Sequence, residues 1–148
     1  MTLKTQIQDD VKSAMRARDQ KRLTALRLIT SAIKQIEVDQ RIELDDQAVL
    51  AVLDKMNKQR KDSLEQYNNA GRDDLAAQEQ FELDLIAAYL PEALSDEAVS
   101  ALITQAISDT NASSIRDMGS VMNHLRAELQ GRADMKAVST AVKAQLST

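Results

Sequence analysis

Cysteine and tryptophan are missing from the 148-residue sequence, and there are only three glycines, one proline, one phenylalanine and two tyrosines. Without cysteine there is no disulfide framework, no thiolate metal site and no thiol nucleophile, so nothing points to an oxidising compartment and the cytoplasm is the expected location. Three scattered glycines leave no place for the clustered glycines of a phosphate-cradling loop, which argues against ATP- and dinucleotide-binding folds; no cofactor is expected. No apolar run approaches the ~20 residues that cross a bilayer. The opening MTLKTQIQDD lacks the apolar stretch of a signal peptide, so a soluble, unexported chain with no membrane partner is expected. With so few rings, the core has to be built from Leu, Ile, Val, Ala and the six Met, a composition that favours helices. The balance of 19 basic against 23 acidic side chains argues against indiscriminate nucleic-acid binding, which draws its affinity from many Lys and Arg contacts to phosphates, but leaves room for a local basic patch.

What is present is helical periodicity. Leu3, Ile7, Val11 and Met15 recur at steps of four and predict a first helix to about Arg18. Asp19 is placed to cap a second helix, which carries Leu23, Leu26, Ile29 or Thr30, Ile33 and Ile36 and ends near 39–41. Asp45 or Asp46 opens a long third helix whose inner side holds Val49, Val52, Leu53, Met56, Leu64 and Tyr67, and Gly71 stops it. Asp73 or Asp74 opens a fourth that runs to Pro91, where a missing N–H and a ring clash end helical structure. Ser95 begins a fifth helix, with Val99, Leu102, Ile103, Ala106 and Ile107 inside. Ser114-Ile115-Arg116-Asp117 has the form of a capping box before a sixth helix to Gly131, and Asp134 caps a seventh through Val138, Val142 and Leu146. The expected architecture is all-α, with an N-terminal bundle of about four helices over residues 1–92 and a small three-helix unit over 93–148.

Charge is uneven along this frame. Residues 1–34 carry eight basic and three acidic side chains, whereas residues 71–100 carry one and eight. Attraction between the first and fourth helices is the plain explanation, and a partner-binding face is the sharper one. The densest basic turn holds Arg16, Arg18, Lys21 and Arg22, with Arg27 one turn further on, and such a corner can grip successive phosphates. Its structural alternative is a solvated hairpin. In the third helix, Asp54 with Lys58, Lys58 with Asp62 and Lys61 with Glu65 stand at i,i+4, where ion pairs stabilise a helix by roughly 0.2–0.5 kcal/mol. Arg60 has no acid four residues away and either buttresses the bundle or reaches a ligand.

Chemistry beyond charge is sparse. His124 and Glu128 at i,i+4 are two metal ligands without a third, so no metal is expected. Ser113-Ser114 lacks the Gly- and Ser-rich frame and upstream lysine of a paired-serine amidase and reads as helix capping. Tyr67, Phe81 and Tyr89 are too dispersed for a base-stacking platform and are assigned to packing. No catalytic residue emerges.

Five short motifs occur in order: Lys58-Gln59-Arg60-Lys61-Asp62-Ser63, Ala70-Gly71-Arg72-Asp73-Asp74-Leu75, Tyr89-Leu90-Pro91-Glu92-Ala93-Leu94, Met118-Gly119-Ser120-Val121-Met122 and Gly131-Arg132-Ala133-Asp134. Together, over essentially the whole chain, they resemble the YqeY family, relatives of the tail domain of the GatB subunit of aspartyl/glutamyl-tRNA amidotransferase. The resemblance implies two helical parts joined near Tyr-Leu-Pro, and an appendage that helps recognise tRNA while ammonia release and activation occur elsewhere. It also carries the family label of carbon-nitrogen ligase activity with glutamine as amido-N-donor, which the residues themselves do not support as autonomous catalysis. One departure is Gly131-Arg132-Ala133-Asp134-Met135 where the family has Gly-Lys-Ala-Asp-Gly: charge is kept, and the last glycine is not.

The expected function is therefore a non-catalytic accessory that binds tRNA or another structured RNA through its shape and backbone. Its expected carriers are Arg16, Arg18, Lys21, Arg22, Arg60, Arg72, Arg116, Arg132 and Lys136. The alternative is a protein-interaction adaptor that docks on an amidotransferase or synthetase through the acidic stretch 73–97.

Overall fold

A computed structural model describes residues 1–147. They form α1 (Leu3–Ala17), α2 (Gln20–Gln40), α3 (Asp46–Asn69), α4 (Asp73–Ala87), α5 (Asp96–Asp109), a 3₁₀ turn (Ile115–Asp117), α6 (Met118–Leu129) and α7 (Met135–Leu146), with no strand among the described residues. None of these helices is long and apolar enough to cross a membrane. The chain divides into two compact units, Met1–Leu90 and Pro91 onward, each with its own core.

In the first unit α2 packs on α1, α3 and α4, and α3 pairs with α4. The core collects Ile7 and Ala14 from α1, the stripe Leu23, Leu26, Ile29 and Ile33 from α2, Val49, Val52, Leu53 and Met56 from α3, and Ile86 from α4. Ala14 replaces the expected Met15, which is 51% exposed. A strict four-residue step turns about 400° rather than 360°, so a stripe drifts about 40° per step, and by Met15 it has left the face on which Ile7 sits. In the second unit α5, α6 and α7 pack pairwise around Ile103, Ala106, Val121, Leu125, Leu129, Val138 and Val142. Met135, standing where the family keeps glycine, packs partly buried against this core.

Five of the seven α-helix starts follow the capping rule, while Arg72 before α4 and Asp117 before α6 make no side-chain cap bond. Thr2, Asp19, Asp45, Ser95 and Asp134 each accept a hydrogen bond from a backbone N–H in the first turn of the helix they precede. The ends of α1, α2, α3 and α5 close alike, with one left-handed residue followed by an N–H that reaches back five positions: Asp19 to Ala14, Ile42 to Glu37, Arg72 to Tyr67 and Ala112 to Ile107. Gly71 fills the left-handed position after α3, where a β-carbon would be strained, and Asn111 does so after α5. After α1 and α2 the position is taken by arginine, Arg18 (φ 56°) and Arg41 (φ 55°).

Two polar joins reinforce the first unit. Glu37, near the end of α2, accepts hydrogen bonds on one carboxylate oxygen from Lys4 Nζ at 2.7 Å and from the backbone N–H of Leu44 at 2.9 Å, tying α1 and the α2–α3 loop to α2. The Lys4 bond and then the Leu44 N–H hold its carboxyl below the ordinary glutamate range. The second join crosses the α3–α4 pair: Arg60 Nε donates to Glu82 at 3.1 Å, with both side chains largely covered. Of the three ion pairs anticipated along α3, Asp54–Lys58 forms at 3.7 Å, whereas among the described residues Lys61 and Glu65 make no ion pair. The attraction expected between α1 and α4 is not realised as ion pairs either. Among the described residues, none joins a basic side chain of 1–34 to an acid of 71–100, and the only ion-paired cation of that stretch, Lys4, is held by Glu37 and Glu43.

These joins generate two predictions. Because the folded carboxyl of Glu37 titrates lower than the unfolded one, its contribution is full above the ordinary glutamate range and is lost as pH falls through the folded value. Glu37→Gln is therefore expected to unfold at lower denaturant than the parent at neutral pH, with the gap closing as the buffer is acidified below the glutamate range. Arg60→Gln leaves a covered carboxylate without its cation and is expected to cost about 1–3 kcal/mol in urea unfolding; the double variant with Glu82→Gln should recover part of that loss.

Candidate nucleic-acid interface

The α1–α2 turn brings four of the expected contacts to one corner of the first unit, and they divide between two directions. Arg16, in the last turn of α1, and Arg18, in the left-handed position beyond it, are exposed and make no ion pair among the described residues. Asp19, between them and α2, turns its carboxylate to the N–H of Arg22 and is occupied as a cap. Lys21 and Arg22 face α4 instead. The Lys21 ammonium lies 4.3 Å from the centroid of the Phe81 ring, a cation–π contact. Arg22 lines a pocket of about 460 Å³ together with Asp10, Phe81, Asp84 and Tyr89.

Tyr89 closes that pocket, donating its phenolic proton to the Asp10 carboxylate of α1. Burial first, and then this bond, hold the phenol well above the ordinary tyrosine range, so it remains a donor throughout physiological pH. Tyr89 packs against the core as expected, but Phe81 and Tyr67 are only partly buried and stand outside it. Phe81 serves as a platform for a cation.

Two further expected contacts of this unit lie away from the turn. Arg60 is the buttress of the two sequence alternatives, spent on Glu82 and on the Met56 carbonyl at 3.5 Å. Arg72 stands at the start of α4, exposed, with Asp74 at 3.5 Å.

In the second unit Arg116 lies exposed in the 3₁₀ turn, without an ion partner among the described residues. Asp117 beside it accepts from the N–H groups of Ser113 and Ser114 at 2.8 and 3.2 Å, and these bonds lower its carboxyl. The expected capping box is thus formed by Ser114 and Asp117, with Ser113 also bonded to the Asp117 carboxylate. Arg132 is a fastener: its carbonyl accepts from Leu94 N–H at 2.9 Å and its Nε donates to the Glu92 carbonyl at 3.3 Å, holding the segment that leads into α5. Lys136 is exposed in the first turn of α7. His124 meets Asp109 of α5 at 3.4 Å. Among the described residues no three His, Asp or Glu side chains gather as they would to hold a metal ion.

The structure thus keeps Arg16 and Arg18 open at one corner, turns Lys21 and Arg22 to a ring and an acidic pocket, and commits Arg60 and Arg132 to internal joins. Sequence reasoning missed the Lys21–Phe81 contact and the Tyr89–Asp10 bond, because their partners lie 60 and 79 residues apart. The one available signal was the odd placement of a tyrosine just before the only proline.

Comparison with known proteins extends this picture. A 31% identity over 149 aligned positions, covering 96% of the chain and 80% of the relative, links it to "Altered inheritance of mitochondria protein 41, mitochondrial" of Lachancea thermotolerans. A protein of the same name in Pyrenophora tritici-repentis is 28% identical over 140 positions, 93% of the chain and 77% of that protein. Its counterpart in Eremothecium gossypii is 38% identical over 95 positions, where the match spans 62% of the chain and about half, 52%, of the relative. The model of the Yqey-like protein family matches residues 4–146, both helical units included, and the chain accordingly belongs to the YqeY-like family.

Proposed function

We propose that this YqeY-like chain is a non-catalytic accessory that binds structured RNA, tRNA in the first instance, by contacts to the phosphate backbone. The observation that carries the reading is the uncompensated charge of the α1–α2 hairpin. Of the eight basic side chains in the first 34 residues only Lys4 is engaged in an ion pair among the described residues. Cations that serve a fold are found beside acids, as Arg60 is; a hairpin on which seven cations lack an ion pair among the described residues, with Arg16 and Arg18 turned to solvent, favours an anionic partner. Arg16 and Arg18 stand first among the contacts, then Lys21 and Arg22 with Arg72 on the same unit, and Arg116 and Lys136 on the other. The resemblance of the five motifs to the tail domain of the amidotransferase GatB subunit supports tRNA as the class of RNA. Arg18 adds a local argument, since an exposed left-handed arginine is less favourable there than glycine and its side chain brings no ion pair in return.

The sequence has no cysteine, no glycine-rich nucleotide loop and no recognisable catalytic triad, so the ligase label of the family is read as belonging to a larger assembly. The Arg16→Glu/Arg18→Glu/Arg22→Glu variant is expected to bind total tRNA more weakly than the parent in an anisotropy titration. The slope of log affinity against log salt should flatten by about one unit for each phosphate left without its cation. An unchanged affinity and slope, or equal binding of the parent to duplex DNA and tRNA, would overturn the reading.

A second reading is again an adaptor, docking not through the acidic stretch 73–97 of the sequence expectation but through another surface, and one observation favours it. An apolar groove of about 570 Å³ between α2 and α3 is lined by Ile36, Ile42, Val52 and Met56, with Ile42 half exposed. If the chain docks there on an amidotransferase or synthetase, its binding to the purified partner should survive nuclease treatment and fall on Ile42→Asp.

A further inference from the structure

The pocket that Tyr89 closes, about 460 Å³ between α1, α2 and the end of α4, has the size of a small-molecule site. Its charged lining is Asp10, Arg22 and Asp84. We propose that it binds a free α-amino acid with an aliphatic side chain, held as the zwitterion between Arg22 and Asp84.

The charges select the class of ligand. Asp10 is spent on the Tyr89 hydroxyl, whereas Asp84 accepts from Gln80 on one oxygen, at 2.8 Å, and makes no ion pair among the described residues. Arg22, half-buried in the wall, makes none either, so a cation and an acid share one pocket without meeting each other. Lys21 stands over the Phe81 ring that lines it. Two cations and two carboxylates leave no net field to draw in a simple anion or a simple cation, and a ligand that carries both signs gains from each. In an α-amino acid the carboxylate matches the planar guanidinium of Arg22, two oxygens to two N–H groups. Its ammonium reaches the second oxygen of Asp84 and so bridges the gap between the two side chains. The phenolic oxygen of Tyr89, whose proton goes to Asp10, remains an acceptor for a further ammonium hydrogen. Phe81, Leu85 and Ala88 make the apolar part of the lining, against which an aliphatic side chain packs.

The test is a titration of the full chain with L-leucine, followed by the ring resonances of Phe81, which are unique because the chain has one phenylalanine. Leucine at up to about 10 mM is expected to shift them saturably. N-acetyl-leucine, which lacks the ammonium, and leucinamide, which lacks the carboxylate, are each expected to bind about tenfold more weakly or worse, the loss of one charged hydrogen-bond partner. Arg22→Gln and Asp84→Asn should each cost about as much. Arg16→Gln, which removes an exposed cation of the same hairpin outside the pocket, should keep the parent affinity. Far-UV circular dichroism checks the folds. Arg22→Lys replaces the Gln variant if that one unfolds, and should still bind more weakly than the parent because lysine lacks the fork. Unshifted Phe81 resonances would overturn the proposal. So would equal binding of N-acetyl-leucine, which makes the pocket an anion site, or of leucinamide, which makes it a cation site. Equal losses in Arg16→Gln and Arg22→Gln would reduce the effect to net charge and overturn it as well. Equal binding of glycine would overturn the aliphatic side chain, and tighter binding of phosphoethanolamine, a zwitterion of the lipid-headgroup kind, would overturn the amino acid. None of these outcomes depends on whether the chain binds tRNA.

Discussion

Every other helix of the first unit packs on α2, so the unit stands on the stripe Leu23, Leu26, Ile29 and Ile33. With no tryptophan and three rings in the chain, that stripe has to bury enough methyl and methylene surface to hold three neighbours, at roughly 25 cal/mol per Å² of apolar area removed from water. Branched and γ-branched side chains at steps of three and four do so because they leave few voids between helices. One consequence is that the outer flanks of α2 are released from packing. They carry two grooves, a mixed one towards α1 and an apolar one towards α3.

Charged side chains divide into those that lock a distant join and those that remain open. Lys4 and Glu37 link the first helix to the end of the second, Arg60 and Glu82 link α3 to α4, and Arg132 holds the lead-in to α5. Each pairs groups 22 or more residues apart, where a cation and an acid or carbonyl restrain the chain as no neighbouring pair can. The open set is concentrated on the α1–α2 hairpin. A protein with a net charge of −4 thus presents one strongly basic element, and long-range attraction of a polyanion would be local to it.

Helix number, order and approximate extent were legible because each helix carries both an apolar stripe and a start signal. Asp19, Asp45, Ser95 and Asp134 cap where a short polar side chain precedes periodic apolar residues. What failed was angular. Met15 fits a four-residue rule and misses the buried face through accumulated drift, and Lys21 and Arg22 were grouped with Arg16 and Arg18 by proximity although a helix turns about 100° per residue. Arg60 was recognisable as unusual by its lack of a helical partner, but Glu82 is supplied by tertiary packing, which no local pattern encodes. The basic hairpin was legible as composition; its two sides were not.

All three aromatic rings, Tyr67, Phe81 and Tyr89, belong to the first unit, and the second has none. The molecule therefore comes with a built-in optical asymmetry. Tyrosine absorbance, fluorescence and near-ultraviolet dichroism report on the four-helix unit alone, and Tyr89 reports specifically on whether its hydroxyl remains with Asp10. The far-ultraviolet signal sums over the helices of both units. The difference between a tyrosine-detected and a helix-detected melting curve consequently isolates the three-helix unit without a label, a truncation or a mutation, and shows at once whether the two cores lose their order together or in succession.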